Sequence, residues 1–263
     1  MNILSDIKSK VQTKELILEW IFIIILCMGI VIYYEKFYIK YSSVTGISVV
    51  ILLNILKFCD KDDESIFGNR KSIFTFILAY IITLYPNKIF IYLLPFIGSI
   101  FTLTFVRIII IILPIFSCYF WKIKLRDFNW KLSFKWLAII IVIFFALLMP
   151  ELYKYGTSLF MYRNFSSLFD YIFNIVMALI FNAGFEEIIF RGFLISALKS
   201  FQLSDTKVNI IQSILFGIPH LYLVSSPLGI CWHILIGYIL GKVYLNSKSL
   251  TPGIILHLLI NWV

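Results

Sequence analysis

Apolar runs long enough, or nearly long enough, to cross a bilayer recur along almost the whole chain, and they limit its fold more than any other feature. Hydrocarbon offers no hydrogen-bond partners, so a spanning segment must satisfy its backbone internally and becomes a helix. Hydrophobic residues make up 61% of the 263 positions and charged residues 14%. A soluble domain of this length could not bury so much apolar surface. The expected fold is all-α, a polytopic transmembrane helical bundle. Helices are predicted near 16–34, 41–57, 72–86, 98–121, 134–150, 168–198, 207–224, 229–246 and 251–263. Pro86, Pro95, Gly98 and Pro114 punctuate the region 72–121, which also carries Arg107, so eight or nine membrane helices are expected. The chain reads as one integral-membrane domain with an N-terminal set of helices, 1–167, and a C-terminal core of four helices, 168–263.

The net charge of +9 follows topology rather than a nucleic-acid surface. With the N-terminus inside, sixteen of the 23 Lys and Arg fall in cytoplasmic segments, Lys242 and Lys248 among them, and five fall outside. That bias obeys the positive-inside rule. Met1 to Lys14 is polar and basic without a small-residue cleavage site, and reads as a cytoplasmic lead-in rather than a signal peptide. The abundance of Ile, Phe, Lys, Asn and Tyr fits an AT-rich bacterial genome, so the expected location is a bacterial plasma membrane. Cys27, Cys59, Cys118 and Cys231 form no C-x-x-C pair and read as buried apolar residues. Thr251-Pro252 is a good N-cap and N1 pair for the last helix, which from there spans only about 20 Å.

Against this apolar background, one stretch carries two acids and an arginine: Glu186-Glu187-Ile188-Ile189-Phe190-Arg191. Ionisable groups in a membrane span are costly and by default mark function. Glu187 and Arg191 are i and i+4 with the acid first, the favourable order for a neutralising pair. Glu186 is turned about 100° away and lacks that partner, which leaves it for general-base work. His220 follows Pro219, which loosens the helix ladder and can turn the imidazole toward a cavity. A neutral imidazole there could share a water with Glu186 or bind a metal. Phe216, one turn earlier, can wall the same pocket. His257 and Asn261 share a helix face and both offer N–H donors, the requirement of an oxyanion site. His233 stands four residues before Gly237 of a Gly237-x-x-x-Gly241 stripe and is read chiefly as a packing residue. There is no G-x-S-x-G, H-E-x-x-H or Walker loop, so water is the main available nucleophile. A transporter would also place acids in the membrane, but it predicts inverted repeats, and none is visible.

In this order, E-E-x-x-x-R at 186–191, F-x-x-x-H at 216–220 and H-x-x-x-N at 257–261 resemble the CPBP intramembrane proteases, also called the Abi family or type II CAAX proteases. The resemblance covers roughly 168–263, including the link Ser249-Leu250-Thr251-Pro252-Gly253 into the third motif. It implies peptide-bond hydrolysis at the membrane. Glu186 with His220 would activate water, His257 and Asn261 would stabilise the oxyanion, and Glu187 and Arg191 would order the helix and orient Glu186. No metal is favoured; if one such as zinc were present, Glu186, His220 and His257 would be its ligands. The implied partners are a peptide or protein substrate and the lipid bilayer, with no nucleic acid. Family roles include bacteriocin maturation or self-immunity and peptide-signal processing. The alternative is a non-catalytic immunity or receptor-interacting membrane protein that keeps the fold.

Overall fold

The computed structural model describes residues 3–34, 46–54, 68–84, 112, 115–116, 118–155, 167–223 and 227–262. Among these the chain is all helical, with no strand. The expected helix at 98–121, with Arg107, lies almost wholly outside the described residues, as does Cys59.

Helix α1 runs Ile3–Tyr34, so it continues back through the polar segment that the sequence suggested as a lead-in. Helix α2 covers 46–54, α3 is Ser72–Leu84 and α4 is Phe134–Tyr155. The long helix α5 spans Leu168–Lys199. Ser167 starts it by accepting from the Asp170 backbone N–H at 3.1 Å. Within α5, Leu179–Gly184 and Ile188–Leu194 are π-helical and flank the single α turn Phe185–Glu187. Such widened turns are frequent at functional sites. Helix α6, Asp205–Gly217, starts at Ser204, which accepts from Lys207 N–H, and passes into a 3-10 segment, Ile218–Leu223. The sequence anticipated one helix to 224. The change at 218 has a simple cause, because Pro219 has no N–H to continue the α ladder.

Helix α7, Ile230–Ser247, is the centre of the molecule, buried from Ile234 to Leu245. It closes at Lys248, whose left-handed backbone (φ 53°) lets its N–H reach Tyr244 O at 2.7 Å. Helix α8, Leu250–Trp262, then turns back along the bundle. Thr251 is not its N-cap: the helix begins one residue earlier, and the Thr251 hydroxyl donates to Trp130 O at 2.8 Å. Ser249 Oγ donates to Lys131 O at 2.7 Å and Leu250 N–H to Asn129 O at 3.0 Å. The segment before α4 therefore ties down the start of α8.

Helices α6 and α7 pack closely along the glycine stripe anticipated from the sequence. A Cβ on Gly241 would collide with the Asn209 and Gln212 side chains, and one on Gly237 would stand 2.8 Å from Phe216 Cδ1. The glycines make room for side chains of α6. Lys242, expected in a cytoplasmic segment, is instead buried in the bundle and paired with Glu19 of α1. Cys27 is buried, whereas Cys118 and Cys231 are half-buried.

The outer faces carry large apolar side chains: Ile17, Ile21 and Ile25 on α1, Val142 and Phe145 on α4, and Phe169, Ile172 and Phe173 on α5. Water would penalise a surface of this kind and lipid would not. Among the described residues, Val11–Ile32 and Leu168–Lys199 are long and apolar enough to cross a membrane. Phe134–Met149 and Leu250–Asn261 are shorter apolar helices.

Candidate active site

The α turn between the two π segments of α5 presents Glu186 and Glu187 on different faces. Glu187 points into the bundle, and Arg191 lies beside it with no exposed surface. Arg191 Nη1 meets Glu187 Oε1 at 2.9 Å, which is the i, i+4 pair read from the sequence. Arg191 Nη2 donates to Gly237 O on α7 at 2.9 Å, and its guanidinium sits 4.7 Å from the centre of the Phe216 ring. A buried cation is thus met by a carboxylate, a carbonyl and an aromatic face.

Glu187 has a second partner that spacing rules could not reveal. His257 Nδ1 on α8 lies 2.9 Å from the same Oε1. A carboxylate oxygen only accepts, so Nδ1 carries the proton. Glu187 therefore fixes the tautomer and orientation of His257 as well as pairing with Arg191. Helix α8 approaches closely here, since a Cβ on Gly253 would stand 2.9 Å from Glu187 Oε2.

Glu186 is the open member of the pair. Its side chain is 28% exposed, against 0% for Glu187. Its inner oxygen, Oε2, has no hydrogen-bond partner and stands 3.7 Å from His257 Nε2. The sequence reading left Glu186 without a partner, and the structure gives it His257 at ion-pair range. Glu187 faces Arg191, so Glu186 is the acid left beside His257 Nε2.

His220 lies in the 3-10 segment. Its Nδ1 is 2.9 Å from Phe216 O, a carbonyl left by the end of the α ladder. Here too the acceptor must be the carbonyl, so a neutral His220 keeps its Nε2 lone pair free. Phe216 is the hub: its ring centre lies 5.2 Å from His220 and 5.7 Å from His257. No direct hydrogen bond joins Glu186 to His220 among the described residues. Asn261, one turn beyond His257 on α8, is exposed. His233, read from sequence as packing, stacks on His220 at 4.4 Å with the rings 15° apart. Its packing role therefore falls on a site residue. The remaining polar neighbours, Asn209 and Gln212, were not anticipated at all.

Among the described residues no three His, Cys, Asp or Glu side chains come together as a metal ion would require.

Glu186, Glu187 and Arg191 of α5 thus meet His257 of α8, and the Phe216 ring of α6 lies against both His257 and His220 of the 3-10 segment. Residues 167–263 match the family model described as Type II CAAX prenyl endopeptidase Rce1-like, in agreement with the CPBP/CAAX resemblance of the three motifs. The match spans every residue placed in the site and leaves 1–166 outside it. No curated protein and no solved structure matches the chain.

Phe216 rests on the bare backbone of Gly237, which makes one substitution informative. Gly237→Ala should drive the ring toward His220, His257 and Arg191. Overpacking of this kind costs about 1–3 kcal/mol. Apparent Tm and catalytic turnover should both fall in the purified variant. Wild-type values for both would show that the ring has room to move and is not the hub described.

Proposed function

We propose that the protein is an intramembrane endopeptidase that hydrolyses a peptide bond in a membrane-associated peptide or protein. The family of the C-terminal domain supports a protease. The observation that carries the mechanism is the division of labour between the two acids: Glu187 is sealed in by Arg191 and His257, while Glu186 faces outward beside the same histidine.

In this reading Glu186 removes a proton from water, and the water oxygen attacks the carbonyl carbon of the scissile bond. His220, held by Phe216 O, lends its free Nε2 to position that water. Doubly protonated His257 donates from Nδ1 to Glu187 and from Nε2 to the developing oxyanion, with the Asn261 amide as second donor. Glu186 then passes the proton to the leaving amine, and the C–N bond breaks. Arg191 and Phe216 hold the cluster in place. Donors prearranged in a water-poor site are worth most where charge develops.

The apolar outer faces and the two long apolar helices support a membrane location. We place it in a bacterial plasma membrane on its AT-rich residue bias, with eight or nine spans on its apolar runs and a cytoplasmic N-terminus on the charge bias of the loops. Bacteriocin maturation, self-immunity or peptide-signal processing would all use this chemistry.

The test is hydrolysis by the purified full chain in lipid vesicles, with a library of membrane-associated peptides and mass spectrometry of the products. Specific cleavage that survives chelation, in protein without stoichiometric metal, is expected. Absence of cleavage across the library would overturn the protease reading. Loss of activity on chelation, restored by zinc, would overturn the metal-free mechanism and turn Glu186, His220 and His257 into ligands.

A further inference from the structure

The bundle holds a second buried ion pair, far from the first in sequence. Glu19 of α1 and Lys242 of α7 are paired and almost fully enclosed. Asn54 Nδ2 of α2 donates to the same Glu19 oxygen at 3.2 Å, and the Lys242 ammonium lies 5.9 Å from the centre of the Tyr238 ring. Buried pairs of this kind rarely improve on well-packed apolar residues for stability. Leucines would bind α1 to α7 at least as well. A polar pair instead fixes register, because each buried charge must meet an opposite charge.

From this pair an unbroken series of polar contacts leads to the acid–histidine site. Tyr238 O, one helical turn before Lys242, is the α-helical acceptor for the Lys242 backbone N–H. It also accepts from Asn209 Nδ2 at 3.0 Å. Asn209 Oδ1 accepts from Gln212 Nε2 at 2.7 Å, and Gln212 Nε2 also donates to Gly237 O at 2.9 Å. Gly237 O accepts, in turn, from Arg191. Arg191 holds Glu187, and Glu187 holds His257. Every side chain along this path is buried.

We propose that Glu19 and Lys242 are positioning residues for the hydrolytic site. The pair sets the rotation and depth of α7 against α1. Through Asn209, Gln212 and two α7 carbonyls it fixes Arg191, and so Glu187 and His257. Glu19 lies outside the stretch matched by the family model, so the N-terminal helix reaches into the geometry of the domain that carries the chemistry. The proposal rests on the protease reading only for its effect on turnover.

The test uses the full chain in vesicles with Lys242→Met, Glu19→Gln as a milder break, Lys242→Arg as the conservative variant, and Lys207→Met as a control. Lys207 pairs with Glu15 at 3.5 Å and so also joins α1 to α6, but at the surface. Three readouts are taken: apparent Tm, kcat against KM for a cleaved peptide, and the ring 15N signals of the chain's three histidines. Lys242→Met should lower kcat roughly tenfold to a hundredfold, as small misplacements of catalytic groups do. KM should stay within about twofold, since uniform binding is untouched. The His257 ring signals should shift, Lys242→Arg should restore most of kcat, and Lys207→Met should change neither kcat nor the signals. In a Gln212→Leu background, where the path is already cut, Lys242→Met should add little further loss. If Lys242→Met does not fold, Glu19→Gln carries the same comparison. Wild-type kcat and unshifted His257 signals in a folded variant overturn the proposal, as does an equal loss in Lys207→Met. If the wild type cleaves nothing, the protease reading fails, and the His257 signals alone decide the positioning claim.

Discussion

Glu186→Gln is expected to lower turnover by roughly 10²–10⁴-fold, the usual contribution of a positioned general base. The amide keeps the shape of the carboxylate and removes its basicity. Glu186 is 28% exposed and makes no hydrogen bond through its inner oxygen, so little of the fold depends on its charge. Apparent Tm should therefore stay close to wild type. The contact at 3.7 Å to His257 Nε2 refines the expectation. Losing the Glu186 charge removes one of the two anions beside His257, and Glu187 remains to hold the ring at 2.9 Å. Substrate binding should change much less than kcat, which separates a lost base from a lost docking surface. Hydrolysis by the variant at a near wild-type rate would remove Glu186 from the mechanism.

Much of this site was legible from short-range patterns, and what was not is long-range. The i, i+4 rule finds Glu187 with Arg191 because both lie on one helix. It cannot find His257, which joins Glu187 from another helix 70 residues away. Pro219 signalled a loosened ladder because a missing N–H is a local fact, but not that the α-helix would end at Gly217 and leave His220 in a 3-10 segment. Thr251 looked like a cap by residue type, yet its hydroxyl found the carbonyl of Trp130, a partner no local rule contains. Lys242 was misplaced for a similar reason. A lysine just after a glycine stripe near a helix end looks like a loop cation under a topology rule. Its partner, Glu19, is 223 residues distant. Asn209 and Gln212 went unnoticed because polar residues in the first turns of a helix ordinarily face solvent. Here they fill the space that Gly241 leaves. The helices themselves were easier, since apolar length and terminal charges set them one at a time. The count of spans depends in part on segments outside the described residues.

Arg191→Met should destabilise the protein by about 3–5 kcal/mol, because it takes the guanidinium from the buried Glu187 carboxylate and leaves only His257 beside it. That corresponds to a fall in apparent Tm on the order of 10 °C, at roughly 2–4 °C per kcal/mol for a chain of this size. The guanidinium also caps Gly237 O and lies against Phe216, so α5, α6 and α7 all lose a shared contact. Turnover should fall as well, which by itself does not separate a structural from a chemical role. A double variant does. Replacing both members of a buried pair by neutral groups of similar volume is often nearly neutral for stability. Glu187→Gln with Arg191→Met should accordingly regain most of the lost Tm. It should not regain turnover, because an uncharged amide in place of the Glu187 carboxylate cannot hold His257 as a doubly protonated donor. A carboxylate behind an imidazole orients the ring and stabilises its charged form, and losing it is costly even when the geometry survives. Recovery of both stability and turnover in the double variant would mean that the Glu187–His257 contact has no part in the chemistry. Recovery of neither would mean that Arg191 acts through Gly237 and Phe216 rather than through the carboxylate.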